Sequence, residues 1–194
     1  MTDSCIGLLT GPVGAGKTTI AARVVGLARQ RGIACRGLLA PALHDAGGQK
    51  VGIVGLDLAT DERRILARTD CDLGGPRLGP YSFDAAVLEW ATDGILAAMA
   101  SPPQAVEGEG KRLTLVVVDE IGKLELWHDQ GLAPVLPALA AGPAARALVI
   151  VRESLIEELH ERLGEVEQVV FRASQQNRDG LPAEIVEALL QAGA

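Results

Sequence analysis

Short uninterrupted apolar runs along the chain alternate with longer segments in which every third or fourth residue is apolar. The runs are typical of strands buried in a parallel sheet, and the longer segments are typical of amphipathic helices. Strands are predicted at residues 5–10, 33–40, 113–118, 147–151 and 166–171. Helices are predicted at residues 17–31, 82–99, 132–141, 153–163 and from 182 onward. Because the two kinds of segment alternate, we predict an α/β fold with a mostly parallel central sheet and helices on both faces.

The stretch between the second strand and the second helix has a different pattern. Its short apolar runs at residues 51–56 and 63–67 are separated by polar turns, which predicts a small antiparallel meander inserted into the α/β chain. Residues 70–81 hold two Gly- and Pro-containing clusters and predict a long loop, after which Ser82 is the expected N-cap of a helix. Residues 101–112 are polar and predict an exposed connection.

The composition is that of an ordinary globular domain. A length of 194 residues suits one domain, residues 1–194, and the hydrophobic fraction of 48% allows a sizeable core. The net charge of -7 argues against broad nucleic-acid binding, so nucleic acid is not an indicated partner. Cys5, Cys35 and Cys71 have no metal-binding spacing and indicate reduced thiols. The chain has neither a membrane-length apolar run nor a signal-peptide pattern, and we expect a cytoplasmic protein with no membrane partner.

The strongest motif follows the first predicted strand and opens the first helix. It fits G-x-x-x-x-G-K-[ST], the P-loop pattern that holds the phosphates of a nucleoside triphosphate. Its glycines allow positive φ, its N–H groups line an anion site at a helix N-terminus, and its hydroxyl is a ligand for Mg²⁺. The candidate nucleotide-binding residues are Gly11, Pro12, Val13, Gly14, Ala15, Gly16, Lys17, Thr18 and Thr19. We expect Lys17 to neutralise the β- and γ-phosphates, and Thr18 to bind the metal.

A second motif lies about 100 residues further on, where a central strand ends in an acid pair. Asp119 would sit at the carboxyl end of a buried strand, where open α/β sheets bind their ligands, and is the candidate metal partner of Thr18. Glu120 faces differently if strand side chains alternate. A carboxylate in that place can orient or activate the attacking water, so Glu120 is the candidate catalytic acid–base group.

These two motifs together resemble the small nucleoside-triphosphatase family that is sometimes called the cancer-related nucleoside-triphosphatases. The resemblance rests on the P-loop and on the D-E-I-G-K-x-E-L string of residues 119–126. The G-P-Y-S-F segment of residues 79–83 and the N-R-D segment of residues 177–179, followed by Leu181-Pro182, agree with it. The resemblance implies a RecA-like P-loop fold and slow, Mg²⁺-dependent hydrolysis of several nucleoside triphosphates, such as ATP and GTP, to diphosphate and phosphate.

Several positions carry a less specific signal. Asn177 and Arg178 follow the last strand, where a nucleotide base often rests, and they suit equally well the capping of the next helix. Arg152 and Glu153 stand where the family tends to have Thr and His, which puts a γ-phosphate sensor at this point in doubt. Lys123 suits either an approach to the phosphates or a surface position.

The same P-loop serves three kinds of function. Besides an Mg²⁺-dependent hydrolase, a small-molecule or nucleotide kinase is an alternative, with Arg63, Arg64, Arg68 and Arg77 around a mobile loop. The third is a nucleotide-gated adaptor in which hydrolysis resets a switch. The sequence does not separate hydrolase from adaptor, and it leaves the oligomeric state open while slightly favouring a monomer.

Overall fold

The computed structural model describes residues 5–101, 105–106, 110–111, 113–143 and 146–191. Its strands are β1 (Cys5–Thr10), β2 (Ala34–Leu39), β3 (Ala42–His44), β4 (Lys50–Asp57), β5 (Arg63–Arg68), β6 (Arg77–Leu78), β7 (Tyr81–Phe83), β8 (Ala105–Val106), β9 (Gly110–Lys111), β10 (Thr114–Ile121), β11 (Arg146–Val151) and β12 (Glu167–Arg172). Its helices are α1 (Lys17–Gln30), α2 (Ala85–Ala100), α3 (Lys123–His128), α4 (Val135–Ala140), α5 (Ile156–Leu163) and α6 (Leu181–Gln191).

One sheet of ten strands runs through the part of the chain that the structure describes. Its path is β12-β1-β11-β10-β2-β4-β5-β7-β6, and β3 pairs with β4 beside this path. The pairs from β12 to β2 are parallel, and every pair from β4 onward is antiparallel. The α/β fold is therefore confirmed, with a mixed sheet.

The antiparallel part is larger than the sequence predicted. We expected a small meander inserted into a mostly parallel sheet, but β4 pairs directly with β2 and continues the same sheet. The predicted loop at residues 70–81 also contains β6, which pairs with β7. Strands of two or three residues are too short to show a periodic pattern, so the sequence could not reveal them.

Helices cover both faces of the sheet, as the alternation predicted. Side chains of α1 and α6 pack with Leu115 and Val117 on one face. Side chains of α2, α4 and α5 pack with Val116 and Val118 on the other face. The central strand β10 is thus buried on both sides, which explains why its apolar run has no alternation.

The helical segments differ from the prediction at two helix starts and in one additional helix. The N-cap of α2 is Asp84, whose Oδ1 accepts a hydrogen bond from the Val87 N–H at 3.1 Å, whereas Ser82 is a buried strand residue. Helix α6 begins at Leu181, one residue before the proline. Helix α3 was not predicted, because six residues are too few to establish a helical period. No helix among the described residues is long and apolar enough to cross a membrane.

Candidate active site

The phosphate-binding loop joins the end of β1 to the start of α1, and glycine is needed at its ends. Gly11 has a φ of 143°, and a Cβ there would lie 2.5 Å from the Ala173 carbonyl oxygen at the end of β12. Gly14 and Gly16 have φ values of 82° and 83°. Only glycine adopts these conformations without strain, so the loop can turn its N–H groups toward an anion at the N-terminus of α1.

Lys17 folds back over this loop. Its Nζ donates hydrogen bonds to the carbonyl oxygens of Gly11 at 2.9 Å and Pro12 at 3.2 Å. Thr18 is half-buried beside it, while Thr19 and Val13 are exposed. The Lys17 ammonium and the Thr18 hydroxyl therefore lie together at the P-loop, where a bound phosphate chain would contact both.

Asp119 brings a carboxylate to the same place from β10. Its side chain is 2% exposed, and its Oδ2 accepts a hydrogen bond from the Ala40 N–H at 3.0 Å. Burial raises the pKa of this carboxyl to about 6, because removal of water penalises the charged form, while hydrogen bonds from the Ala40 N–H and the Thr18 side chain oppose the rise. A buried carboxylate that contacts Thr18 is poised for a cation.

Glu120 also lines the cavity, although regular alternation along β10 would turn it away. The register with β11 shifts between Asp119 and Ile121, so one extra residue breaks the alternation at this point. The Asp119–Glu120 peptide bond is cis. The Glu120 side chain is half-buried, and its Oε1 accepts a hydrogen bond from Arg152 Nε at 2.7 Å.

A cavity of about 540 Å³ connects these groups. Its polar end is formed by the P-loop residues Gly14, Gly16, Lys17 and Thr18 together with Asp119 and Glu120. Arg152 lines it as well, so the position that departs from the family pattern is part of the site. The structure thus brings together, in one concave space, four of the side chains that sequence analysis named for binding and chemistry: Lys17, Thr18, Asp119 and Glu120.

Asn177 and Arg178 lie in a different environment. Asn177 is exposed, and its Oδ1 accepts hydrogen bonds from the Ser174 N–H at 2.8 Å and the Ser174 hydroxyl at 3.1 Å. Its Nδ2 donates to the Arg172 carbonyl oxygen at 2.9 Å, so the side chain braces the turn between β12 and α6. Among the described residues, the lining of the cavity includes neither Asn177 nor Arg178.

Four of the other cations named from the sequence contact partners outside the cavity lining. Arg64 lies over the Trp90 ring at 4.6 Å, Arg68 pairs with Asp70, and Arg77 pairs with Asp72 at 2.6 Å. Lys123 Nζ lies 4.5 Å from the centre of the Trp127 ring, in the surface position that was one of its two interpretations. None of the four arginines proposed for a mobile loop belongs to the described lining.

Glu125 is a supporting residue that sequence reasoning left without a role. It is buried, and its two oxygens accept hydrogen bonds from the Gly122 N–H at 2.8 Å and the Leu132 N–H at 3.2 Å. Burial raises the pKa of this carboxyl. The residue ties the start of α3 to the turn before α4 and so fixes the chain that follows Glu120. Its position in the acid-containing string of residues 119–126 was the available signal, but spacing alone does not distinguish a structural carboxylate from a catalytic one.

The donor set fits a hard divalent cation. Thr18 and Asp119 supply a hydroxyl and a carboxylate in contact, which are oxygen ligands of the kind that Mg²⁺ prefers. No cluster of three His, Cys, Asp or Glu side chains occurs among the described residues. A cation here would therefore take its remaining ligands from phosphates and water, as Mg²⁺ usually does in nucleotide sites.

Three features are consistent with the fold of a P-loop nucleoside-triphosphatase. They are the mixed sheet, the glycine-rich loop between β1 and α1, and the buried Asp119 on β10, which is separated from β1 by β11. The family model described as NTPase matches residues 7–186, and the chain belongs to this nucleoside-triphosphatase family. It is 32% identical over 186 residues to nucleoside-triphosphatase THEP1 of Methanopyrus kandleri, covering 95% of this chain and 94% of that protein. It is 31% identical to nucleoside-triphosphatase THEP1 of Thermofilum pendens, covering 94% and 93%. The resemblance inferred from the motifs is thereby confirmed.

Solved structures agree on the fold. The solution structure of a human cancer-related nucleoside triphosphatase has a TM-score of 0.72 and 24% identity, covering 98% of this chain and 100% of that one. The crystal structure of THEP1 from Aquifex aeolicus has a TM-score of 0.71 and 18% identity, covering 95% and 98%. At such identities the likeness concerns the fold alone.

Proposed function

We propose that the chain hydrolyses nucleoside 5'-triphosphates, including ATP and GTP, to diphosphate and phosphate in an Mg²⁺-dependent reaction. The observation that carries this proposal is the convergence of Lys17, Thr18, Asp119 and Glu120 on one cavity. Membership of the nucleoside-triphosphatase family supports it. The insertion of β11 between the P-loop strand β1 and the acid-bearing strand β10 supports assignment to the RecA-like class.

The proposed roles follow from the chemistry of phosphoryl transfer, which needs positioning and charge stabilisation. Residues Gly11 to Thr19 cradle the phosphates, and Lys17 neutralises charge on the β- and γ-phosphates. Thr18 and Asp119 would hold Mg²⁺, which supplies further neutralisation of phosphate charge when bound. Glu120 orients the attacking water and accepts its proton as oxygen bonds to the γ-phosphorus and the bond to the β-phosphate oxygen breaks.

The wider setting is part of the same proposal. One sheet carries both the loop and the acid pair, which supports a single domain over residues 1–194. All three cysteines are free, which supports a reducing, cytoplasmic setting. Asn177 and Arg178 stay candidates for contact with the base, since they follow β12, the neighbour of β1.

Phosphate release from ATP, GTP, CTP and UTP, with and without Mg²⁺, tests the proposal. We expect Glu120→Gln to lower turnover by about 10²- to 10⁴-fold, the usual contribution of a general base, while nucleotide affinity stays within about threefold. Glu157→Gln changes an exposed carboxylate on α5 in the same way and serves as the matched control. Phosphate release at the wild-type rate from the Glu120 variant would remove that residue from the mechanism.

A second candidate is phosphoryl transfer to a hydroxyl of a small molecule, and the size of the cavity favours it. The cavity extends well beyond the phosphate-binding end, toward β4, β5 and β7. In that reaction the acceptor oxygen bonds to the γ-phosphorus, the nucleoside diphosphate leaves, and the hydroxyl proton passes to Glu120. The two functions differ in a simple measurement: a hydrolase releases one phosphate per diphosphate without any acceptor, whereas a kinase releases little of either.

A further inference from the structure

The cavity has two halves of different chemistry. One half is the polar phosphate end described above. The other is a wall of apolar and aromatic side chains from the antiparallel strands and the start of α2. This apolar wall consists of Ile53, Leu66, Leu78, Tyr81, Phe83 and Leu88. A triphosphate and its cation are wholly polar, so contact with these apolar side chains would not stabilise either of them.

The apolar wall lies beyond the γ-phosphate end of the nucleotide. Asp119 and Glu120 mark that end, because they serve the metal and the attacking group. Asp119 is hydrogen-bonded to the N–H of Ala40, and the chain runs from there through Pro41 and Ala42 into the antiparallel strands. The base is attached to the opposite end of the triphosphate and so points away from the wall.

The rim of this half carries the positive charge of Lys50. His44 and Lys50 are both exposed, lie opposite each other in the β3–β4 pair, and line the cavity. Lys50 Nζ is 5.3 Å from the centre of the Tyr81 ring, and the Tyr81 and Phe83 ring centres are 6.4 Å apart. Aromatic surfaces beside the Lys50 ammonium and the His44 imidazole fit a flat ring that bears an anionic group.

We propose that the apolar half of the cavity binds a second small molecule, a flat apolar ring carrying one anionic group, beside the γ-phosphate of the bound nucleotide. The inference rests on the proposed function, because that function sets the direction of the nucleotide. The volume of about 540 Å³ lies within the range of roughly 300–1,000 Å³ that is usual for small-molecule sites. The ring packs against Leu78, Tyr81 and Phe83, and its anionic group meets Lys50 and His44.

The probe for this site is 8-anilinonaphthalene-1-sulfonate, an aromatic anion with a flat naphthalene ring whose fluorescence rises in apolar surroundings. Titration of the full chain should show one bound probe per chain, both alone and in the presence of Mg²⁺ and the non-hydrolysable analogue AMP-PNP. Leu78→Asp places a charge on a half-buried wall position, and Lys50→Glu reverses the charge of the rim. We expect each to weaken probe binding by about tenfold or more, a change that corresponds to 1.4 kcal/mol.

The matched control is Arg63→Glu, a charge reversal at an exposed position of β5 that is outside the lining. It should leave the affinity for the probe unchanged, and all three variants should bind AMP-PNP like the wild type. Probe binding that is unchanged in both Leu78→Asp and Lys50→Glu would overturn the inference. Displacement of one probe per bound AMP-PNP would also overturn it, since the nucleotide would then fill both halves. Failure of AMP-PNP to bind while the probe behaves as expected would instead contradict the proposed function.

Discussion

The pairing of Arg152 with Glu120 places a cation on the carboxylate that we propose as general base. Arg152 follows β11 directly, and β11 is the parallel neighbour of β10, so the two side chains meet at the same edge of the sheet. Both are partly exposed, and an ion pair of this kind contributes little to stability. Its expected effect is on the orientation of Glu120.

We therefore predict that Arg152→Ala lowers kcat for ATP hydrolysis by about tenfold, equivalent to 1.36 kcal/mol, and leaves KM within about threefold. Arg152→Lys, which keeps the charge, should recover part of the loss. Steady-state kinetics measure both values. Arg172→Ala removes an exposed arginine at the end of β12 and is the control. A tenfold rise of KM with unchanged kcat would instead show that Arg152 binds substrate and does not position Glu120.

Residues in one short motif were predictable, and residues that act through distant partners were not. The P-loop and the acid pair have a fixed spacing and a chemistry that only a few residue types supply. Arg152 and Glu120 are 32 positions apart, and only the parallel pairing of their strands brings them together. Glu125 resembles a second catalytic acid in sequence, and its two backbone donors become visible only in the folded chain.

At the scale of elements, the segment between β5 and α2 forms part of the cavity and is held by one carboxylate. Asp72 Oδ1 accepts hydrogen bonds from the Gly74 N–H at 3.0 Å and the Ser82 hydroxyl at 2.9 Å, and Arg77 pairs with Oδ2. The Gly74 N–H, together with Arg77 and Ser82, lowers the pKa of Asp72 to about 2. The sequence predicted a loop here because its glycines and prolines are obvious, while these contacts are not.

A carboxyl whose pKa is lowered in the folded state stabilises that state in its charged form. This contribution is complete above the ordinary value of 3.8 and disappears as the pH falls through about 2. We predict that Asp72→Ala has a lower melting temperature than the wild type at neutral pH, and that the difference shrinks between those two values. Thermal unfolding followed by circular dichroism at several pH values measures it. Asp45→Ala, in the turn between β3 and β4, is a control for loss of a local turn. A difference that stays constant down to the lowest pH would contradict the assignment.

At the scale of the whole molecule, the main ten-stranded sheet has a parallel part and an antiparallel part, and the sequence predicted the parallel part better. The inner parallel strands β1, β10 and β11 are buried on both faces, so their apolar runs are continuous and easy to recognise. The antiparallel strands are covered unevenly: Ile65 is 44% exposed, whereas Leu66 is 5% exposed. Their glycines also interrupt the pattern, and a Cβ at Gly52 would lie 2.3 Å from the Ala67 carbonyl oxygen of the paired strand. Close strand approach thus requires glycines that, in sequence, look like turns.

The candidate site joins elements that are far apart in the chain, so nucleotide binding should stabilise the fold as a whole. The P-loop connects β1 to α1, Asp119 lies on β10, and Ala40 follows β2. A ligand that binds only the folded state at 100 times its Kd adds about 2.7 kcal/mol. For a domain of this size each kcal/mol raises Tm by about 2–4 °C, so we predict a rise of about 5–11 °C with Mg²⁺ and AMP-PNP.

In Lys17→Ala the same ligand concentration should raise Tm by less than about 2 °C, because the charge that binds the phosphates is gone. Lys123→Ala removes a half-buried lysine that is not among the cavity-lining residues and should keep the full rise. Equal rises in the wild type and Lys17→Ala, measured by differential scanning fluorimetry, would show that the analogue stabilises the protein from somewhere other than the P-loop.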